Sequence, residues 1–193
     1  MANNSSNNSL PNIRKMVLTS LFTALIIVGS YISFPLPFSP VPIVLSDLMT
    51  FLAGLVLGAT GGLASVALFL FLGALGLPVF AGGKAGLAVF FGTHGGYLIG
   101  FLFSTFIIGW ISKRGKSSLI KDLIALLAGN IIIYAIALPW LKVVIPQVTW
   151  VKVVSIGFLP FIIGIFVKIA IAVGVIQALR PILKELNLDD TKR

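Results

Sequence analysis

Six hydrophobic stretches alternate with short polar, glycine-rich or proline-rich breaks. They cover residues 16–34, 44–58, 61–77, 92–112, 120–139 and 155–180. A helix needs about 20 residues to cross the hydrocarbon layer, because each residue advances it by about 1.5 Å. The second and third stretches are shorter than this, but the region 44–77 is too long for one crossing, and glycines between 58 and 62 supply a turn. The pattern therefore predicts an all-α membrane protein with six transmembrane helices, the second and third forming a tight hairpin.

The chain carries too few charged residues for a soluble domain. Of its 193 residues, 58% are hydrophobic and 10% are charged, whereas a soluble domain has roughly a quarter charged residues. Lipid is therefore the expected solvent, and the net charge of +9 concerns orientation in a membrane rather than nucleic acid. With no cysteine and one histidine, the chain lacks the usual nucleophile–base pairs of enzymes. It also has no phosphate-binding glycine loop of the kind that ATP-hydrolysing proteins use. We expect neither an enzyme nor a nucleic-acid-binding protein, and no cofactor.

The basic residues are distributed unevenly between the two sides of the predicted bundle. If the N-terminus is cytosolic, ten lysines and arginines face the cytosol, three face outwards and Lys168 lies inside the last span. Because basic residues favour the cytosolic side, we expect both termini in the cytosol and the protein in the cytoplasmic membrane. The outer loops are then 34–46, 77–91 and 140–154. The predicted organisation is a disordered tail at 1–13, a six-span domain at 14–184 and a cytosolic tail at 185–193.

Two of the outer loops have the composition of pocket walls. Residues 34–42 contain four prolines, which make the segment stiff and non-helical. The second loop combines glycines with aromatic side chains, so its backbone can approach a ligand closely while the rings cover it. We expect aromatic walls from Phe80, Phe90 and Tyr97, and loop closure through Gly82, Gly83, Gly95 and Gly96. A span-breaking loop and an interfacial aromatic belt are the alternatives.

Several polar residues lie within the hydrophobic stretches. Lys168 is 12 residues from either end of a helix over 156–180, about 18 Å each way. A lysine facing lipid at that depth costs roughly 2.5–3.5 kcal/mol, so Lys168 should turn inward, towards an anionic ligand group or an acidic side chain. Asp47 either lies at the interface or supplies that charge. Asn130 and Tyr134, four residues apart, share a helix face and either bind a ligand or join helices.

Two further features have weaker signals. Ser20 and Ala24 place small side chains on one face of the first helix, where another helix can approach closely. That face either docks a partner subunit or packs inside the bundle. His94 is the only histidine, and we expect it to be a polar residue at the mouth of the fourth span rather than part of a catalytic or metal site.

The loop motifs resemble a known family. GALGLPVFAGG at 73–83 and GTHGGYLIGF at 92–101 closely resemble the BioY family, the biotin-specific substrate-binding (S) components of energy-coupling-factor (ECF) vitamin transporters. The resemblance extends from PFSPVP at 37–42 and LAGLVLG at 52–58 to the segments around 129–141 and 160–168. It covers about residues 15 to 183, and its central motif is specific.

The resemblance implies capture of biotin from the outer side, beneath the loops 34–46 and 77–91. It also implies a transmembrane coupling subunit and two ATP-binding subunits as partners, with the first helix as the docking face. Asn130 and Tyr134 would then hold the bicyclic head of biotin, since an amide suits a cyclic urea, and Lys168 an anionic group. The sequence leaves open whether the chain works alone, and whether its ligand is instead another small vitamin or biotin-like acid. A non-transporting membrane subunit is a further alternative, but it would not explain a lysine deep in the last span.

The chain departs from the family pattern at three places. Thr93 and His94 replace a Pro-Thr pair, and Ser46 stands where glutamine is usual. Ile165 replaces an aspartate that in the family lies three residues before the lysine and takes part in the site. The missing carboxylate removes a hydrogen-bond acceptor for the ureido ring of biotin and leaves Lys168 without its nearest anionic partner. Either a free Lys168 binds the carboxylate of the ligand, or Asp47 supplies the missing charge.

Overall fold

The computed structural model describes residues 9–115 and 118–185 of the chain. In chain order the elements are α1 (Ser9–Tyr31), β1 (Ser33–Phe34), β2 (Ile43–Val44), α2 (Ser46–Ala74), a 3-10 turn (Ala81–Gly83), α3 (Ala88–Phe91), α4 (Gly95–Ser112), α5 (Leu119–Val144), α6 (Trp150–Gly157), a second 3-10 turn (Leu159–Phe161) and α7 (Ile162–Glu185). Among the described residues, five helical segments are long and apolar enough to cross a membrane: Ile13–Tyr31, Ser46–Ala74, Gly95–Ser112, Leu119–Val144 and Trp150–Leu183. The all-α architecture agrees with the hydrophobic pattern.

Helix α2 folds back on itself at Gly58. This residue has φ +74° and ψ −172°, a conformation that glycine adopts without steric cost. A Cβ atom added to Gly62 would lie 3.0 Å from the Cα atom of Gly54, although eight residues of straight helix would separate the two by about 12 Å. The arm after Gly58 therefore packs against the arm before it, and the turn predicted between residues 58 and 62 is present.

Glycines allow close packing of α4 against its two neighbours. A Cβ atom on Gly109 would lie 2.3 Å from the backbone of α2 at Ala59, and one on Gly100 would lie 3.0 Å from the Cα atom of Ile133 on α5. Close backbone approach replaces the hydrophobic effect as the main source of helix association in lipid. Helix α4 thus forms the centre of the bundle, between the α2 hairpin and α5.

An ion pair joins three helices at the end of the bundle that holds the Gly58 turn. Asp122, fully buried in the first turn of α5, accepts a hydrogen bond from the Ser112 hydroxyl at 2.9 Å and pairs with Arg180 of α7. Burial of a carboxylate is tolerated here because both a hydroxyl and a guanidinium satisfy it. The end of α4 and the C-terminal part of α7 are thereby fixed to the start of α5.

Hydrogen bonds tie the loops together at the opposite end. Ser39 in the proline-rich loop donates to the carbonyl of Ile156 at 2.7 Å, and the Tyr31 hydroxyl donates to the carbonyl of Pro78. The short antiparallel pairing of β1 with β2 closes the base of the proline-rich loop. These contacts hold the loops over one end of the bundle.

Several helix ends differ from the predicted boundaries. Helix α1 begins at Ser9, five residues before the predicted boundary between the N-terminal tail and the membrane domain at residue 14. The rest of the two predicted tails, residues 1–8 and 186–193, lies outside the described residues. The prediction of an outer loop over 140–154 was wrong, because α5 runs through Pro139 to Val144 and α6 begins at Trp150. A membrane helix tolerates an internal proline where its surroundings satisfy the freed backbone groups.

Candidate ligand-binding site

A cavity lies beneath the cover formed by the loops, between α2, α4, α5 and α7. It holds about 710 Å³ of empty space, including its opening. The walls combine aromatic and aliphatic side chains with polar groups that face the same space, as is typical of small-molecule sites. The polar and charged lining residues are Ser30, Ser46, Asp47, Lys84, His94, Tyr97, Asn130, Tyr134 and Lys168.

A buried ion pair forms the charged part of the cavity wall. The Nζ atom of Lys168 lies 2.7 Å from Oδ2 of Asp47 and donates a second hydrogen bond to the carbonyl of Val44 at 2.8 Å. Asp47 lies in the first turn of α2, where the helix dipole favours a negative charge, and its Oδ1 accepts from the backbone N–H of Leu48. The hypothesis that Asp47 turns inward to Lys168 is confirmed.

The position of Lys168 along its helix differs from the prediction. Because a 3-10 turn at Leu159–Phe161 separates α6 from α7, Lys168 lies six residues after the start of α7 at Ile162, about 9 Å along the axis. The prediction of a site 12 residues from either helix end was therefore wrong. The conclusion drawn from it holds, since only 8% of the Lys168 side chain is exposed.

Asn130 and Tyr134 lie on the same side of α5 and both line the cavity. The Asn130 amide is buried and donates to the Leu126 carbonyl at 2.9 Å, which fixes its orientation. The ring of Tyr134 lies edge-on to that of Tyr97, with centroids 6.1 Å apart. The Tyr97 hydroxyl donates to the Gly157 carbonyl at 2.7 Å. The tyrosine pair therefore presents a rigid aromatic surface beside the Asn130 amide.

Phe80 is the aromatic residue that closes the cavity from the loop side. Its buried ring packs edge-on between Phe69, at a centroid distance of 5.3 Å, and Phe90, at 5.5 Å. The ring occupies the space that a side chain at position 73 would need, since a Cβ atom on Gly73 would lie 2.1 Å from it. The motif glycine at position 73 therefore lets the loop seat Phe80 in the bundle.

The remaining predicted site residues do not line the cavity. Gly82 and Gly83, with φ +69° and +71°, form the tight turn after Phe80. Gly95 and Gly96 begin α4, and a Cβ atom on either would collide with the backbone of Phe90 or with the Trp140 side chain. These glycines thus shape the loop and the helix contact rather than face the cavity, and Phe90 supports Phe80 from behind.

The rim of the cavity carries two residues that sequence reasoning did not place in the site. Lys84 was counted only as an outer charge and His94 only as a polar residue at a span end, yet both line the cavity. Burial, together with the nearby positive charge of Lys84, lowers the pKa of His94 from 6.5 to about 4. The imidazole is therefore neutral at neutral pH.

Ile165 faces a different space. It lines an apolar groove between α5 and α7, together with Leu127, Ile131 and Phe166. Asn130 and Tyr134 line both the groove and the cavity, so these two side chains lie between the two spaces. Asp47 thus occupies the position beside Lys168, while Ile165 points along the lateral groove.

Ser20 and Ala24 are exposed on the outer face of α1. Their neighbours on this face are exposed apolar side chains, including Val17 at 60%, Leu21 at 50% and Val28 at 57%. The alternative that the two small residues pack inside this chain is therefore wrong. The α1 face, defined here as these five residues, is available to lipid or to another protein.

Comparisons with known proteins agree with this architecture. Residues 2–185 match the model of the BioY family. A protein of Thermotoga maritima named biotin transporter BioY is 40% identical over 177 residues, which cover 92% of this chain and 99% of the relative. A probable biotin transporter BioY of Pyrococcus horikoshii is 41% identical, covering 86% and 96%.

The fold also matches a solved structure. A crystal structure of the S-component for biotin from an ECF-type ABC transporter superimposes with a TM-score of 0.81 at 33% identity, covering 94% of this chain and 95% of that chain. The family model matches nearly the whole chain, and the solved structure shares both its fold and a third of its aligned residues. This chain belongs to the BioY family.

Proposed function

We propose that this protein captures biotin in the cavity beneath its outer loops and takes it up across the cytoplasmic membrane as the substrate-binding component of a transporter. The observation that carries the proposal is the Asp47–Lys168 pair beside the Asn130 amide in an aromatic cavity. Lys168 already donates to Asp47 and Val44, which leaves one of its three N–H groups for a ligand. The pair therefore offers a donor and an anionic acceptor side by side, as a cyclic urea requires.

The rest of the cavity fits the apolar part of biotin. Phe80, Phe161 and the Tyr97–Tyr134 pair enclose the space next to the charged pair. Rings in these positions can cover a fused bicyclic head, while few polar groups compete for its sulfur-containing ring. The relatives named as biotin transporters and the biotin S-component structure support the same substrate.

Calorimetric titration of the detergent-purified chain with biotin tests the proposal directly. Lys168→Ala removes the donor and leaves Asp47 buried without its partner, so we expect binding to be lost. Lys152→Ala is the matched control, because this exposed lysine lies on α6 away from the cavity. Folded protein that releases no heat at micromolar biotin would refute the proposal.

A different small vitamin or biotin-like acid is the second candidate substrate. The observation that favours it is Ile165, an apolar residue where the family usually carries a site aspartate. Competition of a vitamin panel against labelled biotin distinguishes the two candidates. Stronger displacement by another vitamin than by biotin would favour the second one.

We also propose six membrane spans with both termini in the cytosol. Counting the two arms of α2 on either side of Gly58 separately supports six spans, and the ten-to-three bias of basic residues supports the orientation. Because the chain contains no cysteine, single-cysteine variants test this cleanly. In intact cells, Lys152→Cys should react with a membrane-impermeant maleimide, whereas Arg14→Cys should react only after lysis.

The α1 face is the proposed docking surface for a transmembrane coupling subunit that works with two ATP-binding subunits. Its small residues, Ser20 and Ala24, would allow a partner helix to approach closely. We expect Ala24→Trp to abolish uptake driven by co-expressed coupling subunits while leaving biotin binding unchanged. Val143→Trp, at a position of α5 that is 75% exposed, is the control. Equal uptake by both variants would contradict this docking surface.

A further inference from the structure

The lateral groove between α5 and α7 opens on the side of the bundle rather than at its end. It holds about 1010 Å³ of empty space, including its opening. Its apolar walls include Leu127, Ile131, Ala135 and Leu138 on α5, and Ile165 and Phe166 on α7. These residues belong to two segments that are long and apolar enough to cross a membrane. The lateral groove therefore opens towards hydrocarbon rather than towards water.

The length of the lateral groove matches the depth of one lipid leaflet. The α5 wall runs from Leu127 to Leu138, which is about 16 Å along the helix axis. Half of a hydrocarbon layer about 30 Å thick is about 15 Å. Phe158 lines the end of the groove near the loops, where its ring lies edge-on to Tyr134 at a centroid distance of 4.8 Å. The groove therefore extends from the loop side to about the middle of the bilayer, as an acyl chain of that leaflet does.

The shape of the groove suits a thin flexible chain better than a protein segment. Ile131 and Phe166 at its rim are 69% and 64% exposed, whereas Ile165 is partly buried against the core. Because α5 and α7 contact each other, a further helix about 10 Å wide can lie across this recess but cannot enter it. The segments of the chain outside the described residues, 1–8, 116–117 and 186–193, are mostly polar. A lipid acyl chain is thin, apolar and present at this depth.

Ile165 makes the wall of the groove compatible with hydrocarbon. An aspartate is usual at this position in the BioY family, and a carboxylate that faces lipid costs free energy unless a cation pairs with it. In this chain Lys168 is already paired with Asp47 at 2.7 Å. The isoleucine therefore removes a charge from the groove without leaving the lysine unpaired, and it turns position 165 into part of an apolar surface.

We propose that the lateral groove binds one acyl chain of a phospholipid from the leaflet on the side of the loops, and that this chain supports Asn130 and Tyr134 from behind. Each of these two side chains lines the ligand cavity as well as the groove. A filled groove thus completes the wall of the ligand cavity. Lipid and ligand then bind cooperatively, and each raises the affinity for the other by the same factor.

Lipid retention by the full chain tests the site without any other ligand. The protein is reconstituted in vesicles of palmitoyl-oleoyl phosphatidylcholine, extracted and washed in a steroid-based detergent whose rigid rings do not fit the groove, and the phosphorus retained per chain is measured. Wild-type protein should keep one phospholipid per chain. Ala135→Phe places a ring in the groove, so retention should fall by about tenfold or more as the chain loses its buried contacts. Ala170→Phe is the matched control, because Ala170 is also exposed but lies on α7 outside the groove.

Position 165 provides a second pair of variants. Ile165→Leu keeps the wall apolar and should retain the lipid, whereas Ile165→Asp places a carboxylate against the acyl chain and should lose it. Tryptophan fluorescence during detergent unfolding shows that each variant is folded. Equal retention by these two variants, or no lipid on folded wild-type protein, would overturn the site. Elution of the wild type as a lipid-free dimer would overturn it as well, and would identify a second copy as the occupant.

Calorimetric titration with biotin tests whether the chain supports the cavity wall. Wild-type protein stripped of lipid by prolonged washing should bind biotin several-fold more weakly than lipid-loaded protein. Ala135→Phe should bind equally before and after washing, because its ring stays in the groove. Equal affinities of loaded and stripped wild type would overturn the support of Asn130 and Tyr134. If folded protein retains the lipid but does not bind biotin, the proposed function fails while the lipid site stands.

Discussion

Breaking the Asp47–Lys168 pair by changing one partner should destabilise the protein strongly. At the observed separation of 2.7 Å, two unit charges attract each other by about 6 kcal/mol if the effective dielectric constant is about 20. Most of this attraction is offset by the cost of burying both charges. Asp47→Asn removes the attraction but leaves the Lys168 charge buried, so we expect a loss of about 3–5 kcal/mol.

Replacing both partners should cost much less than replacing one. In the double variant Asp47→Asn with Lys168→Met, no uncompensated charge remains, and the methionine chain fills most of the lysine volume. The free energy of unfolding should therefore recover by about 2 kcal/mol or more relative to the single variant. Biotin binding should not recover, because both the donor and the anionic acceptor are absent.

The assay is unfolding in mixed micelles by titration with sodium dodecyl sulfate, followed by the fluorescence of the three tryptophans. Calorimetric titration with biotin on the same samples separates stability from binding. If Asp47→Asn unfolds at the same detergent fraction as the wild type, the pair is not a buried, mutually dependent unit. A double variant that binds biotin normally would show that the ligand does not use the pair.

Two other changes have defined outcomes. Gly73→Ala places a methyl group in the space of the Phe80 ring, so we expect a loss of about 1–3 kcal/mol and weaker biotin binding. Gly164→Ala, where nothing lies within 4 Å, should change neither quantity, and equal effects in both variants would contradict the role of the ring. The lowered pKa of His94, about 4, means that between pH 6.5 and 4 the unfolded chain binds a proton that the folded chain does not. The stability of the wild-type protein should therefore fall as the pH decreases through that range. The melting temperature of His94→Gln should fall less than that of the wild type over the same range. An equal fall in both proteins would contradict the burial of the imidazole.

Helix ends were the least predictable feature of the fold. Pro139 was treated as the end of a span, but α5 continues through it to Val144. Pro160 was placed inside a helix over 156–180, but a 3-10 turn at Leu159–Phe161 separates α6 from α7 there. Proline has the same local chemistry in both places. Whether the helix continues depends on the neighbours that satisfy the freed backbone groups, and these come from distant parts of the chain.

The sequence by itself determined the class of the protein, its apolar segments and the residues that must avoid lipid. Hydrophobic length reports whether a segment can cross a membrane, and the cost of an unpaired charge in hydrocarbon forces Lys168 inward wherever its partner lies. The glycines between 58 and 62 predicted the turn for a local reason, because only glycine adopts the φ angle of Gly58 without strain.

Only the tertiary structure decided which residues meet. Asp47 and Lys168 are 121 residues apart in the chain, Phe80 occupies the space above Gly73, and Lys84 and His94 share a rim that no local pattern indicated. The physical reason is the solvent. In water, exposed faces are polar and reveal how a helix is oriented, but in lipid both the exposed and the packed faces are apolar. The sequence therefore shows which segments are buried in the membrane, while the contacts between them set the shape of the site.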